Sequence, residues 1–199
     1  MNLRAGAAAV LLLAGGCATL PPPTAPASAD DWPSRRAALQ SLDAWTLDGR
    51  IAVAAGEQGF SGGFDWSQAG ERADILLSGP MGGAGLAIRV EGEALTVTMR
   101  GETYGGEDAR RLVEERVGAG RPLPVAEMRY WLVGAPAPGA PAEETLGEDH
   151  RLARLAQSGW EIEYERYAPA DARVLPARLT LRTEGLRLRV AVNDWRLPP

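Results

Sequence analysis

The sequence contains no lysine, one histidine, one cysteine and two phenylalanines, and all of its 21 basic side chains are arginines. A single cysteine rules out an intrachain disulfide framework. One histidine beside one cysteine also leaves too few soft ligands for a conventional zinc site. The 26 acidic residues outnumber the basic ones, for a net charge of −5. Such a chain is a poor candidate for electrostatic nucleic-acid binding, and as a whole it gains no help from anionic lipid headgroups. Arg50, Arg89 and Arg187 are too scattered along the chain to nominate as contacts for a protein partner. There is no G-x-S-x-G elbow. Gly82, Gly83 and Gly85 do not fit dinucleotide or P-loop spacing. His150 sits in the acidic run Glu148-Asp149-His150-Arg151 and reads as solvated, and Glu161 and Glu163 fall on the wet phase of a strand. With no clustered catalytic set and no metal site, the chain reads as non-enzymatic.

Long apolar runs are missing as well. The only candidate, Ala5–Ala14, is shorter than the ~20 residues needed to span a bilayer. It follows a short cationic start at Arg4 and ends in Leu13-Ala14-Gly15-Gly16-Cys17. That arrangement is a secretory signal over residues 1–16 with a lipobox-like end, although the leucine sits one place earlier than usual. An unmodified lone thiol in an exported protein is an oxidation hazard, which favours lipidation of Cys17 by an N-acyl diacylglyceryl group. No other cofactor is expected. Residues 17–30 include Pro21-Pro22-Pro23-Thr24-Ala25-Pro26. Proline lacks the amide donor for helix or ladder, so this stretch reads as an extended tether. The residue after Cys17 is Ala18 and not the aspartate that retains lipoproteins in the inner membrane. A lipid-anchored position on the periplasmic face of the outer membrane is therefore expected.

Residues 31–199 are enough for one domain with a sizeable core. Asp31–Asp43 opens it as a helix, with Asp31 as cap and Pro33 in the first turn. From Ala44 the apolar period becomes two. Leu186–Asn193, Leu95–Met99, Leu86–Val90 and Trp160–Glu165 alternate apolar with polar residues, as half-buried antiparallel strands do. Further strands are expected over Trp45–Ala55, Gly59–Gln68, Ala73–Ser78, Arg151–Gln157 and Leu179–Thr183. Helices are expected over Glu107–Val117, stopped by Gly118, and Pro124–Val133, stopped by Gly134. Ala135–Glu148 reads as a mobile Pro/Gly/Ala/Glu-rich loop. About ten amphipathic strands with two or three helices against the concave side imply a mainly β (α+β) domain, a barrel or an incomplete barrel. Strand phase turns Leu86, Ile88, Val90, Leu95, Val97, Met99, Leu186, Leu188, Val190 and Val192 inward, with Met128 and Trp131 from a helix above them. A closed, dry core would bury the same set, so alternation alone leaves lining and filling undecided. The six tryptophans are core or rim residues by default.

Several motifs in order along the domain resemble one family. They are Trp45-Thr-Leu-Asp-Gly-Arg-Ile-Ala-Val53, Phe64-Asp-Trp-Ser-Gln68, Leu76-Leu-Ser-Gly-Pro-Met-Gly82, Leu123-Pro-Val125 with Trp131-Leu-Val-Gly134, Gln157-Ser-Gly-Trp160, Tyr164, Leu175-Pro176 and Asn193-Asp-Trp195. Together with Cys17, the set resembles the outer-membrane lipoprotein receptor LolB family. The resemblance implies an unclosed antiparallel barrel of about eleven strands with a helical lid over an apolar cavity. It implies acceptance of client lipoproteins by their acyl chains from the periplasmic carrier LolA, insertion of those clients into the outer membrane, and action as a monomer. It further implies that the loop Pro80-Met81-Gly82 assists membrane insertion, with Met81 where the family usually carries leucine. The competing expectation is a non-enzymatic outer-membrane scaffold for an envelope assembly partner, which would have a filled core and no affinity for acyl chains.

Overall fold

The computed structural model describes residues 31–79, 85–117 and 120–198. Cys17, its tether and Pro80-Met81-Gly82 lie outside the described residues. A helix, α1 (Trp32–Gln40), leads into strands β1 (Ala44–Ala55), β2 (Gln58–Ala69), β3 (Arg72–Ser78), β4 (Leu86–Glu91), β5 (Ala94–Met99) and β6 (Glu102–Gly105). Helices α2 (Gly106–Arg116) and α3 (Val125–Val133) follow, and then β7 (Ala142–Leu146), β8 (Leu152–Gln157), β9 (Trp160–Ala170), β10 (Arg173–Thr183) and β11 (Leu186–Arg196).

The eleven strands form one antiparallel sheet in the order β6-β5-β4-β3-β2-β1-β11-β10-β9-β8-β7. Two meanders are thus joined by the first and last strands. The edges, β6 and β7, are not bonded to each other, so the barrel is unclosed, as expected. The chain from one edge to the other runs through α2 and α3. Alternation does the folding work: in β4 the buried residues are Leu86 and Ile88, and in β11 they are Leu186, Leu188, Val190 and Val192, with Trp195 beyond the alternating run. Helix α1 starts where Asp31 accepts the Ser34 amide at 2.8 Å and places Pro33 in its first turn. Helix α3 ends on Gly134, left-handed at φ 87°, whose amide bonds back to Trp131. All described elements lie between Trp32 and Arg196 around one contiguous apolar core, as in a domain that folds as one unit.

Three strand expectations need correction. The segment 135–148 is not a mobile loop: Ala135 and Ala137 are buried, and Ala142–Leu146 is strand β7. The reason is Gln157, whose side-chain oxygen accepts from the Ala137 amide at 2.8 Å while its Nε2 donates to Ala137 and Ala140 carbonyls at 2.9 and 3.1 Å. A distant glutamine amide thus supplies the partners that the proline-rich backbone cannot find within itself. The edge is then covered from outside, since Trp32 Nε1 and Arg36 of α1 donate to Glu144 at 2.5 and 2.7 Å. Strand β6 carried no alternation to read, because none of its four residues is fully buried. Strands β9 and β10 extend to Ala170 and back from Arg173, and the Pro176 carbonyl accepts from Trp195 Nε1 at 2.9 Å.

Candidate functional site: an apolar cavity between β3–β5 and α2

Register lines up Leu77 of β3, Leu86 of β4 and Met99 of β5 in one row across the inner face. With Phe60 of β2 and Val117 after α2, they line an apolar cavity of about 210 Å³, with Gly79 and Gly85 in its wall and the Arg116 side chain at its rim. Apolar surface facing such a space gains about 25 cal/mol per Å² when a hydrocarbon guest removes it from water. One guanidinium at the edge is the charged group that a polar ligand head would meet. Helix α2 packs on β5 and β6 and buries only Ala109 and Val113, whereas α3 buries Met128, Trp131, Leu132 and Val133. The cover over this cavity is therefore the more weakly held of the two helices.

The residues expected to face inward divide into groups. Leu86 and Met99 line the cavity. Val97, Leu188, Val190, Met128 and Trp131 are buried in the contiguous core, as are Ile88, Leu186 and Val192. Val90 and Leu95 are half-buried and pack against that core. Phe60, Leu77, Arg116 and Val117 were not expected at the site. The signal for Leu77 was present in the Ile75/Leu77 alternation, but only pairing with Leu86 turns that phase into a location. Five tryptophans are buried and Trp32 is partly so; Trp45 lies between Trp66, tilted at a centroid distance of 5.8 Å, and Trp195, edge-on at 5.3 Å.

A larger hollow of about 620 Å³ lies on the outer face, where Asp48, Asp65, Asp74, Arg89, Thr98 and Arg196 are among its lining. Its polarity makes it a wet surface, unsuited to an acyl chain. Here Asp65 and Asp48 face each other across β2 and β1. Partial burial, and then the hydrogen bond and charge of Asp48, raise the Asp65 pKa above its ordinary value of 3.8. Because its folded-state pKa is raised, this group's contribution to stability falls as pH rises from the unfolded value through the folded one. Asp65→Asn is therefore expected to stabilise the domain at neutral pH, by less than about 1 kcal/mol given the solvent screening at this half-exposed site. Paired thermal melts at neutral and acidic pH would check this. The gain should fade below the unfolded carboxylate pKa, and an equal gain at both pH values would rule out the electrostatic cause.

The sequence matches the family described as "Outer membrane lipoprotein LolB" over residues 43–195. It is 37% identical to the outer-membrane lipoprotein LolB of Pseudomonas aeruginosa, an alignment covering 95% of this chain and 93% of that protein. The chain belongs to the LolB family. A LolB relative from Nitrosococcus oceani is 35% identical over 94% of each chain. Among solved structures, a LolA superfamily protein from Nitrosomonas europaea superposes with a TM-score of 0.53, covering 82% of this chain and 94% of that one. Its 12% identity makes this a likeness of fold alone. LolB membership makes the chain a lipid-anchored outer-membrane lipoprotein that serves as a receptor in lipoprotein localisation.

Proposed function

We propose that this LolB-family chain takes acylated lipoproteins from a soluble LolA-type carrier, holds their acyl chains against the inner face at Phe60, Leu77, Leu86, Met99 and Val117, and releases them into the outer membrane. The observation that carries this reading is the apolar cavity at the mouth of an unclosed sheet, under a thinly packed helix. Each acyl methylene moved out of water contributes roughly 0.8 kcal/mol, so a multiply acylated client needs protection throughout its passage. At about 210 Å³ the cavity is smaller than the roughly 300–1,000 Å³ of ordinary ligand sites. Loading therefore requires α2 to move away from β5 and β6. Strain is not needed for this: α2 leaves few buried contacts behind, and an incoming chain replaces them. No covalent chemistry is required of the protein. Transfer runs down an affinity gradient in which the inner face binds acyl chains better than the carrier does and less well than the bilayer.

In the same reading Cys17 bears the acyl anchor, and the segment Pro80-Met81-Gly82 between β3 and β4 delivers the client. The methionine supplies apolar bulk on a glycine-rich loop, able to enter the edge of a bilayer.

The test mixes residues 31–199 with carrier loaded with a labelled triacylated lipoprotein. Label should move onto this protein. Met81→Glu should still accept label but fail to pass it to liposomes, while Leu86→Arg, which places a charge in the cavity wall, should fail to accept. If no label moves to the wild-type domain while the carrier remains competent toward another acceptor, the receptor mechanism falls.

A further inference from the structure

The outer face of the central strands is electrically divided. At one end Asp48, Asp65 and Asp194 occupy adjacent positions on β1, β2 and β11. Toward the other end β1, β11 and the neighbouring β10 carry arginines. Arg50 of β1 lies opposite Ala191 of β11, and Ala191 lies opposite Arg178 of β10. Arg189 is the next outward residue along β11, between Ala52 and Thr180, and Arg187 follows it beside Ala54. All four arginines are exposed. Among the described residues none of these four guanidinium groups has a side-chain hydrogen bond or ion pair. Several other arginines are compensated: Arg72 and Arg89 share Asp74, Arg36 meets Glu144 and Arg182 meets Glu163.

Like charges on neighbouring strands repel, so four guanidiniums without a direct ion pair, facing the single carboxylate of Glu165, leave an excess of positive charge that an anion from outside would offset. The side chains between these arginines are small. Ala52, Ser61 and Ala191 help floor a hollow of about 380 Å³ into which Arg50, Arg178 and Arg189 face. Glu165 also lines it; the Thr180 hydroxyl donates to its carboxylate at 2.5 Å, which orients the group and leaves one negative charge against three guanidiniums. No large apolar side chain is exposed within this cluster, so it lacks the buried anchor that a protein partner would need. What fits is a small, repeated, doubly accepting anion, and a guanidinium binds phosphate through two parallel N–H donors. The arginines also lie at a particular end of the sheet. The row that holds Arg178 and Arg50 continues through Gly63 to Ser78, where β3 ends. With a net charge of −5 the chain as a whole is repelled by anionic surfaces. The attraction is therefore local, acting within a Debye length of about 8 Å.

We propose that the outer-face cluster Arg50, Arg178, Arg187 and Arg189 binds the phosphates of anionic phospholipid headgroups and holds the tethered domain with this face and the Ser78 end of the sheet against the membrane. The lipid anchor keeps the domain at high effective concentration near that surface, so weak headgroup contacts suffice to orient it. This goes beyond acyl-chain acceptance and does not depend on it. The chain order conceals the cluster. Arg89, in the same sequence pattern, is neutralised by Asp74, whereas Arg50 and Arg187 are brought onto adjacent strands by the pairing of β1 with β11.

The experiment is co-sedimentation of residues 31–199 with phosphatidylglycerol-containing and with pure phosphatidylcholine vesicles. Preferential binding to the anionic vesicles is expected, weakening as salt is raised. Arg50→Glu combined with Arg189→Glu should lower the partition coefficient at least about tenfold at low salt. The same charge change made on α2, Arg110→Glu with Arg111→Glu, should leave it within about twofold. Arg50→Gln with Arg189→Gln, with an unchanged circular dichroism spectrum, should fall between wild type and the reversal. Equal binding to both vesicle types, or equal losses in the two reversals, would overturn the proposal. So would normal vesicle binding by the Arg50/Arg189 reversal together with loss of carrier binding, which would assign the cluster to an acidic protein surface. Uptake of label from the carrier, scored on the same variants, is expected to persist. Failed uptake in the wild type with vesicle binding intact would count against the acceptor mechanism alone.

Discussion

Trp131→Ala is expected to lower the stability of the domain by about 3–5 kcal/mol, a large part of the roughly 5–15 kcal/mol that holds a typical domain folded. Trp131 on α3 has no solvent exposure, and its ring lies 6.2 Å from that of Trp160 on β9. Its Nε1 donates to Gln157 at 2.8 Å, and its carbonyl accepts from the buried Tyr164 hydroxyl at 3.0 Å. Truncation leaves a void where helix, sheet and the 135–141 segment meet. The backbone carbonyl remains, but the pressure that keeps it beside Tyr164 is lost. Trp131→Phe separates the two contributions. It retains most of the ring and leaves Gln157 its bond to the Ala137 amide, so it should cost only about 1–2 kcal/mol. Urea denaturation of the three proteins measures both differences. A loss under about 1 kcal/mol for the alanine variant would mean that the site collapses onto the void and that α3 is not tied to the sheet through this residue.

The second large effect comes from backbone proximity. A Cβ on Gly62 would sit 1.8 Å from the Ser78 carbonyl oxygen and 2.8 Å from the Phe60 ring. The first neighbour is backbone, so β2 and β3 cannot keep their course. Gly62→Ala should therefore destabilise by about 3 kcal/mol or more. Gly63 is the control, because a Cβ there meets Ser78 side-chain atoms at an ordinary 3.4 and 3.6 Å. Replacing a strand glycine without a clash removes its entropic penalty, so Gly63→Ala should be neutral or slightly stabilising, within about 0.5–1 kcal/mol. Side-by-side denaturation of the pair gives the answer, and similar losses at both positions would refute the close-approach argument. Since Phe60 lines the cavity proposed to take acyl chains, a folded Gly62 variant should also show altered acceptance of label in the transfer assay.

Much of the fold was legible because alternation is local. Leu86-Ala-Ile-Arg-Val90 and Leu186–Val192 each declare a buried phase without reference to any partner, and the change of period at Ala44 marks the passage from helix to sheet. The edge strands were not legible. Glu102–Gly105 and Ala142–Leu146 bury little, and what places the second of them is Gln157 and α1, far away in sequence. At the candidate site the apolar phase of Leu86 and Met99 was readable, but their union with Phe60, Leu77 and Val117 was not, because it depends on register and on where α2 lies.

The sequence by itself determined the inward and outward faces of most strands and the helix caps, and it supplied the candidate anchor at Cys17. Each of these follows from residue chemistry or from a period of two or 3.6, which needs only neighbours along the chain. The tertiary structure decided which faces meet. The pairing of β1 with β11 joins positions such as Asp48 and Asn193, 145 residues apart, and so divides the outer face into an acidic end and an arginine end. It also leaves β6 and β7 unpaired, with α2 and α3 between them. Strand register is a long-range agreement between segments, so both the open cavity and the arginine cluster exist only once the sheet has formed.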